Sequence, residues 1–216
     1  MKPATGSSTF LGNKWNPVHQ ANPIPTRDGV ALLAGCYAKS KVDTAALLPV
    51  AADGNSLEFA GVGSLIEFPG GGRKFTARYD EQSKKYWAVV NKQKEPFALC
   101  NNQVLVSSSD LKTWTVNSVL FRHLNHYYFG KGQADWVIDG DDLILVSMTT
   151  WNGPRVAEKP TRVVFDRVKK FRSLGKAKKA KPIGVKSRPF LHASRTMKVT
   201  GKYLSLIHIS EPTRPY

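Results

Sequence analysis

The residues of this chain that could do chemistry lie at the starts of predicted β-strands and in the loops beside them. Asp135 is the one acid at a predicted strand start, and a carboxylate can transfer a proton or balance a positive charge. Arg78 can hold an anionic group through two parallel hydrogen bonds. Residues that could hold a ligand around this pair are Gln20, Asn22, Lys74, Tyr127, Trp136, Trp151 and Arg195. These residues can act together only if the strands that carry them converge.

The strands are predicted from short apolar runs. Helical periodicity is hard to find, whereas β-branched and aromatic runs alternate with polar turns, which indicates antiparallel β structure. Candidate strands are VALLAGCYA, KFTARYD, YWAVVN, NQVLVSSS, TWTVNSVLF, DLILVSMTT and TRVVFDRV. The intervening RDG, DEQSKK, SDLKT and DGDD are rich in turn-forming residues. The pattern predicts an all-β fold.

A repeat of about 57 residues organises these strands. A polar turn leads into an apolar strand near Val30, Tyr86, Leu143 and Tyr203. A second series of turns leads to the aromatic residues Phe59, Trp114 and Phe171, which we expect at equivalent positions. A four-stranded meander repeated at such a period is typical of a β-propeller blade.

The repeat predicts a β-propeller fragment of about three four-stranded blades plus the start of a fourth. The blades are expected at 18–60, 73–121 and 134–174, and the fourth begins at 193–203. Residues 1–17 form a poorly defined N-terminal segment, and 175–192 are predicted to be a basic loop or linker.

The net charge of +16 points at first to a nucleic-acid partner. However, thirteen Lys or Arg and no Asp or Glu lie between Arg167 and Lys202, which leaves only +3 for the remaining residues. Because the charge belongs to one segment, a solvated loop is favoured over a polyanion site. No apolar run is long enough to span a membrane. Cys36 and Cys100 have no metal-binding or redox spacing, and their apolar surroundings favour buried free thiols. The sequence predicts no cofactor, no metal site and no membrane partner, and it leaves the oligomeric state open.

Four stretches carry a resemblance to a known family: FPGGGRKFTARYDEQSKKYWAVVN, LVSSSDLKTWTV, QADWVIDGDDLILVSMTTW and VVFDRVKKFRSL. Over about 22–174, the chain resembles bacterial sialidase-like, exo-acting glycoside hydrolase-type propeller proteins. SSSDLKTW is similar to the Asp-box turn of sialidases, although it is one residue shorter and lacks the glycine. By this resemblance Ser108, Asp110 and Trp114 would brace a hairpin, and they would carry no chemistry.

The resemblance implies a carbohydrate-active protein with a glycan or oligosaccharide substrate, located outside the cell or in the periplasm. Glycosidases generally use two carboxyl groups, whereas Gln20 stands where related propellers would offer a carboxylate. Asp135 and Arg78 are the predicted catalytic residues, and the other residues of the group are predicted to bind substrate. The alternative is a non-catalytic propeller that binds glycans or proteins.

The end of the chain, LSLIHISEPTRPY at 204–216, resembles a translated sequencing adapter. Read back into DNA, it matches a transposase end sequence joined to an adapter. Segments of this origin are excluded from fold reasoning. We therefore expect the natural protein sequence in this chain to be interrupted at about Tyr203.

Overall fold

The computed structural model describes residues 20–36, 43–92, 100–125, 128–151 and 160–175, and the backbone of the two-residue strands β1 (Thr9–Phe10) and β2 (Asn13–Lys14). Across these ranges the regular structure is β-strand, apart from two 3-10 helices, Gly61–Ser64 and Phe171–Ser173. The all-β prediction is confirmed for this part of the chain. None of the helices found there has the length and apolar character needed to cross a membrane.

Eleven further strands form three antiparallel sheets, each a meander in chain order. The first sheet contains β3 (Ala21–Thr26), β4 (Gly29–Gly35), β5 (Thr44–Pro49) and β6 (Leu65–Glu67). The second contains β7 (Thr76–Asp80), β8 (Lys85–Asn91), β9 (Asn102–Ser108) and β10 (Thr115–Arg122). The third contains β11 (Phe129–Asp139), β12 (Asp142–Trp151) and β13 (Arg162–Val168).

The sheet boundaries differ from the predicted units at two places. β6 ends at Glu67, beyond the expected limit of 60, because the chain makes a 3-10 turn before it returns to pair with β5. β11 begins at Phe129, before the expected 134, and a register shift between Gly132 and Asp135 divides it. The predicted segments 1–17, 175–192, 193–203 and 204–216 lie outside the described residues, apart from β1, β2 and Gly175.

The second sheet is buried on both faces. Successive side chains of a strand point to opposite sides of its sheet, and those of β8 enter two different cores. Ala88 and Val90 of β8 belong to a core shared with the first sheet, which includes Phe68 and Phe75. Trp87 and Val89 belong to a second core, shared with Leu143 and Leu145 of the third sheet among others. The three sheets are therefore packed face to face in chain order.

The first strands of the sheets lie side by side and are joined by side-chain bonds to the backbone. The Asn22 amide nitrogen donates to the Phe75 carbonyl at 3.4 Å, and the Asn22 Oδ1 accepts from the Ala77 N–H at 3.2 Å. The Thr76 hydroxyl donates to the Ala134 carbonyl at 2.7 Å. These bonds fix β3 against β7 and β7 against β11.

Two equivalent turns follow the third strands of the first two sheets. Asp110 Oδ1 accepts from the N–H groups of Lys112 and Thr113 at 2.8 and 2.7 Å, and Ser108 donates its hydroxyl to the same carboxylate oxygen at 2.9 Å. The predicted turn-bracing role of Ser108 and Asp110 is confirmed. Leu111, the residue after the aspartate, is left-handed with φ +63°.

Asp53 makes the corresponding bonds to the N–H groups of Asn55 and Ser56 at 2.9 and 3.1 Å, and Gly54 has φ +67°. The fourth residue after Asp110 is Trp114, whereas the fourth after Asp53 is Leu57. Leu57 packs against apolar residues of the first sheet, while Phe59 is 43% exposed. The predicted equivalence of Phe59 with Trp114 is therefore wrong: the aspartate marks the repeat, and an aliphatic residue takes the aromatic position.

Candidate functional site

A pocket of about 500 Å³ opens between the neighbouring first strands. It is lined by Gln20, Asn22, Lys74, Thr76, Arg78, Gln133, Ala134 and Asp135. The lining comes from the starts of β3 and β7 and from the middle of β11, at its register shift. The structure thus brings together five of the residues selected from the sequence, although it does not test the role of any of them.

Arg78 and Asp135 form the charged pair of this pocket. Nη2 of Arg78 lies 2.8 Å from Oδ1 of Asp135, and Nη1 of Arg78 donates to the Trp136 carbonyl. The guanidinium also stacks over the Trp136 ring at 5.0 Å from its centroid. These three contacts fix the position of the Arg78 guanidinium before any ligand binds.

The environment of Asp135 favours its ionised form. Desolvation raises the pKa of Asp135, but hydrogen bonds from Arg78 and from the Trp136 N–H outweigh this effect, so the pKa lies below its ordinary value. At neutral pH, the carboxylate can accept hydrogen bonds or a proton. It is poorly suited to donate the proton that a general acid must supply.

The remaining lining is polar and mostly uncharged. Gln20 and Gln133 offer amide groups that can both donate and accept hydrogen bonds, whereas the Asn22 amide is bonded to the backbone of Phe75 and Ala77. Lys74 is exposed and adds a second positive charge beside Arg78. With one carboxylate and two cations, the pocket has a net positive lining.

The predicted stacking role of Trp136 does not fit its position. Trp136 is buried between the second and third sheets, where its indole N–H donates to the Thr76 carbonyl at 3.0 Å. Its ring contacts the hydrophobic core and is absent from the pocket lining. We interpret Trp136 as a packing residue that positions β11 against β7.

Trp151 belongs to a separate aromatic cluster. Its ring meets Phe129 at 4.8 Å, and His123 stacks on Phe129 at 4.0 Å. Burial lowers the pKa of His123, which suits a neutral packing residue. Trp151 is not part of the pocket lining, and the two other predicted substrate contacts, Tyr127 and Arg195, lie outside the described residues.

Three lining residues, Thr76, Gln133 and Ala134, were not selected from the sequence. Thr76 is an ordinary strand residue by type, and only its bond to Ala134 shows that it joins two sheets. Gln133 has φ +46° at the register shift in β11, which turns it toward the pocket. The neighbouring Gly130 and Gly132 were the available signal for such an irregularity.

Comparison with known proteins leaves the family open. No family model matches the chain, and a search of curated proteins finds no match either.

Proposed function

We propose that this chain is part of a carbohydrate-active β-propeller that holds a glycan in the pocket between its first strands. The observation that carries the proposal is the pocket itself, in which amides, one carboxylate and two cations converge from three successive sheets. Sugar hydroxyls both donate and accept hydrogen bonds, and the amides of this lining can do the same.

The propeller part of the proposal is supported by the arrangement of the sheets. Three consecutive antiparallel meanders pack face to face, and their first strands are neighbours. Propellers place the first strand of each blade around a central channel and bind ligands at its mouth, which is where this pocket would lie.

The net positive lining favours an acidic sugar. Lys74 can pair with a carboxylate or sulfate on the ligand, and Arg78 stands beside it. Asp135 already balances Arg78 through their 2.8 Å contact, so Lys74 is the cation on which recognition of the acidic group would depend.

Glycoside hydrolysis of the sialidase-like class is the second candidate. The Arg78–Asp135 pair favours it, because it places a carboxylate and a guanidinium side by side in the pocket. The low pKa of Asp135 limits it to the role of a base or of a charged partner. A second carboxyl group, which most glycosidases use, is absent from the described lining.

Binding is tested by calorimetric titration of the full chain with neutral and acidic oligosaccharides. We expect an acidic sugar to bind, and Lys74→Ala to weaken it about tenfold, the equivalent of about 1.4 kcal/mol. Lys85→Ala removes an exposed lysine of β8 outside the pocket and should leave affinity unchanged. Failure of every oligosaccharide to bind, or equal losses in both variants, would contradict the proposal.

Hydrolysis is tested by reporter release from sialoside, arabinoside and fucoside substrates. If the second candidate holds, Asp135→Asn abolishes turnover because an amide cannot exchange the proton. Binding without turnover in both proteins would leave a glycan-binding module.

A further inference from the structure

Gln133 has a left-handed backbone conformation in the middle of a strand. Its φ of +46° lies in a region that residues with a side chain rarely adopt. In the described part of the chain, the other non-glycine residues with positive φ are Lys84, Leu111 and Lys170, and each lies in a turn that follows a strand. Gln133 lies within β11 instead, so a turn between strands does not account for its conformation.

The conformation belongs to a β-bulge. Between the regular pairs on either side, Gln133 and Ala134 lie opposite the single residue Ser147 of β12. A bulge whose first residue is left-handed usually carries glycine there, because glycine has no Cβ to strain. The adjacent Gly132 serves close packing, since a Cβ on it would lie 2.9 Å from the Cys100 sulfur. Glutamine at position 133 therefore carries a conformational strain that glycine would avoid.

Side chains of the second sheet fix the backbone on both sides of Gln133. The Asn91 amide donates to the Lys131 carbonyl at 3.0 Å, and the Thr76 hydroxyl donates to the Ala134 carbonyl at 2.7 Å. Both bonds end on backbone carbonyls of β11, so they do not depend on the side chain at position 133. The bulge is held in place, and the strain at Gln133 is maintained.

The Gln133 side chain makes no contact that would offset this strain. It is exposed and lines the pocket, and its amide makes no hydrogen bond to the residues that the structure describes. Strained backbone conformations of this kind concentrate at ligand sites, where the surrounding structure maintains them. The amide offers a donor and an acceptor side by side, which suits two adjacent hydroxyl groups of a sugar.

We propose that Gln133 determines the specificity of the pocket by binding two adjacent hydroxyl groups of the acidic sugar. Its Oε1 accepts a hydrogen bond from one hydroxyl, and its Nε2 donates to the other. Lys74, which lines the same pocket, meets the acidic group. This inference rests on the proposed function and narrows the ligand to an acidic sugar with neighbouring free hydroxyls.

The first measurement is thermal unfolding without ligand. Gln133→Gly should unfold at a higher temperature than the original protein, because glycine adopts a positive φ without strain. Lys170→Gly is the matched control, since Lys170 is exposed, has φ +47° and lies outside the pocket lining. It should also raise the unfolding temperature. A lower unfolding temperature for Gln133→Gly would show that the side chain stabilises the fold, which would overturn the inference.

The second measurement is calorimetric titration with uronic-acid, sialic-acid and sulfated oligosaccharides, followed by monodeoxy analogues of the tightest-binding one. We expect Gln133→Ala and Gln133→Gly to weaken binding about tenfold, as for the loss of roughly one or two hydrogen bonds. Lys170→Gly should leave the affinity unchanged. The analogues that lack either contacted hydroxyl should bind the original protein more weakly, yet bind Gln133→Ala as well as the parent sugar does.

Equal affinities of the original protein and Gln133→Ala would reject this inference and leave the glycan site standing. Deoxy analogues that weaken binding equally in both proteins, or in neither, would also reject it. If no oligosaccharide binds the original protein, the proposed function fails, and the role of Gln133 fails with it.

Discussion

Asp80 is the residue whose contacts tie the second sheet to the third. Arg172 donates from Nε and Nη2 to the two carboxylate oxygens of Asp80 at 2.8 and 3.0 Å, and its guanidinium lies 4.7 Å from the Phe171 ring centre. Ser83 adds two bonds to Asp80 Oδ2. The hydrogen bond from Arg172, followed by those from Ser83, lowers the pKa of Asp80 to about 2 despite desolvation.

We predict that Asp80→Asn lowers the unfolding free energy at pH 7 by roughly 3 kcal/mol, because it leaves Arg172 without its paired carboxylate. The folded-state pKa lies below the ordinary value of 3.8. The pair therefore stabilises the fold above about pH 4 and loses this effect as the pH falls toward 2. Urea unfolding at pH 7, 4 and 2.5 should show the two proteins converging in acid.

Glu81→Gln is the matched control, since Glu81 is the adjacent residue and is 79% exposed in its contact with Lys84. It should change stability by less than about 0.5 kcal/mol. A difference between Asp80→Asn and the original protein that stays constant from pH 7 to 2.5 would contradict the assignment.

Asp135 and Lys74 both line the pocket but differ in their contacts. Asp135 pairs with Arg78 across the first strands, whereas Lys74 makes none of the interstrand bonds described above. Substitution of Lys74 should therefore affect ligand affinity more than stability.

At the scale of the element, the repeating unit is the turn that begins with an aspartate. Asp110 is bonded to two backbone N–H groups and to Ser108, and these bonds hold its pKa at about 2 against desolvation. The turn directs Leu111 and Trp114 into the core shared by the first two sheets. Trp114 also meets Phe68 edge to face at 4.8 Å.

We predict that Asp110→Ala destabilises the protein by about 1–2 kcal/mol, because it removes the acceptor for two N–H groups of the turn. Lys112→Ala is the control, since it keeps the backbone N–H that bonds to Asp110 and removes only an exposed side chain. Thermal unfolding measures both variants. Equal melting temperatures for the two would mean that the carboxylate does not hold the turn.

The strands with short β-branched or aromatic runs bounded by turn residues could be predicted from sequence, and they include β4, β7, β8, β9, β10, β12 and β13. β3 was harder because Pro23 and Pro25 lie in it, and proline is tolerated only because β3 is an edge strand of its sheet. β6 has only three residues, which is too short to show a period. Phe59 was misleading because the aromatic residue is more conspicuous than Asp53, which makes the turn.

Part of the pocket lining could also be predicted from the sequence repeat. Strand starts recur at the repeat period, and this spacing selected Gln20, Asn22, Lys74, Arg78 and Asp135. The spacing could not show which way a side chain points at an irregular strand. Gln133 was therefore not selected, and for Trp136 the sequence left a buried packing position and a ligand contact equally open.

At the scale of the whole molecule, stability comes from the contact between successive sheets. Each of the two cores lies between neighbouring sheets. Burial of apolar area contributes roughly 25 cal/mol per Å², so a charged group introduced between two sheets removes part of this stabilisation.

We predict that Val89→Asp lowers the unfolding free energy of the full chain by at least about 2 kcal/mol, because Val89 is 1% exposed in the core between the second and third sheets and a carboxylate would be buried there. Val62→Asp makes the same change at an exposed site of the first sheet and should cost less than about 0.5 kcal/mol. Urea unfolding compares the two. Equal small losses would indicate that water reaches both sites in the folded chain.

The bonds from Asn22 and Thr76 are directed at main-chain atoms of the neighbouring strand. A main-chain carbonyl or N–H is the same whatever side chain the residue carries, so these joints place little demand on the identity of their partners. Residues beside them, such as Lys74 and Gln133, can be exchanged without loosening the assembly. Asn22 and Thr76 also line the pocket, so the pocket could be adapted to a different ligand by substitutions at Lys74 and Gln133 that leave these joining residues in place.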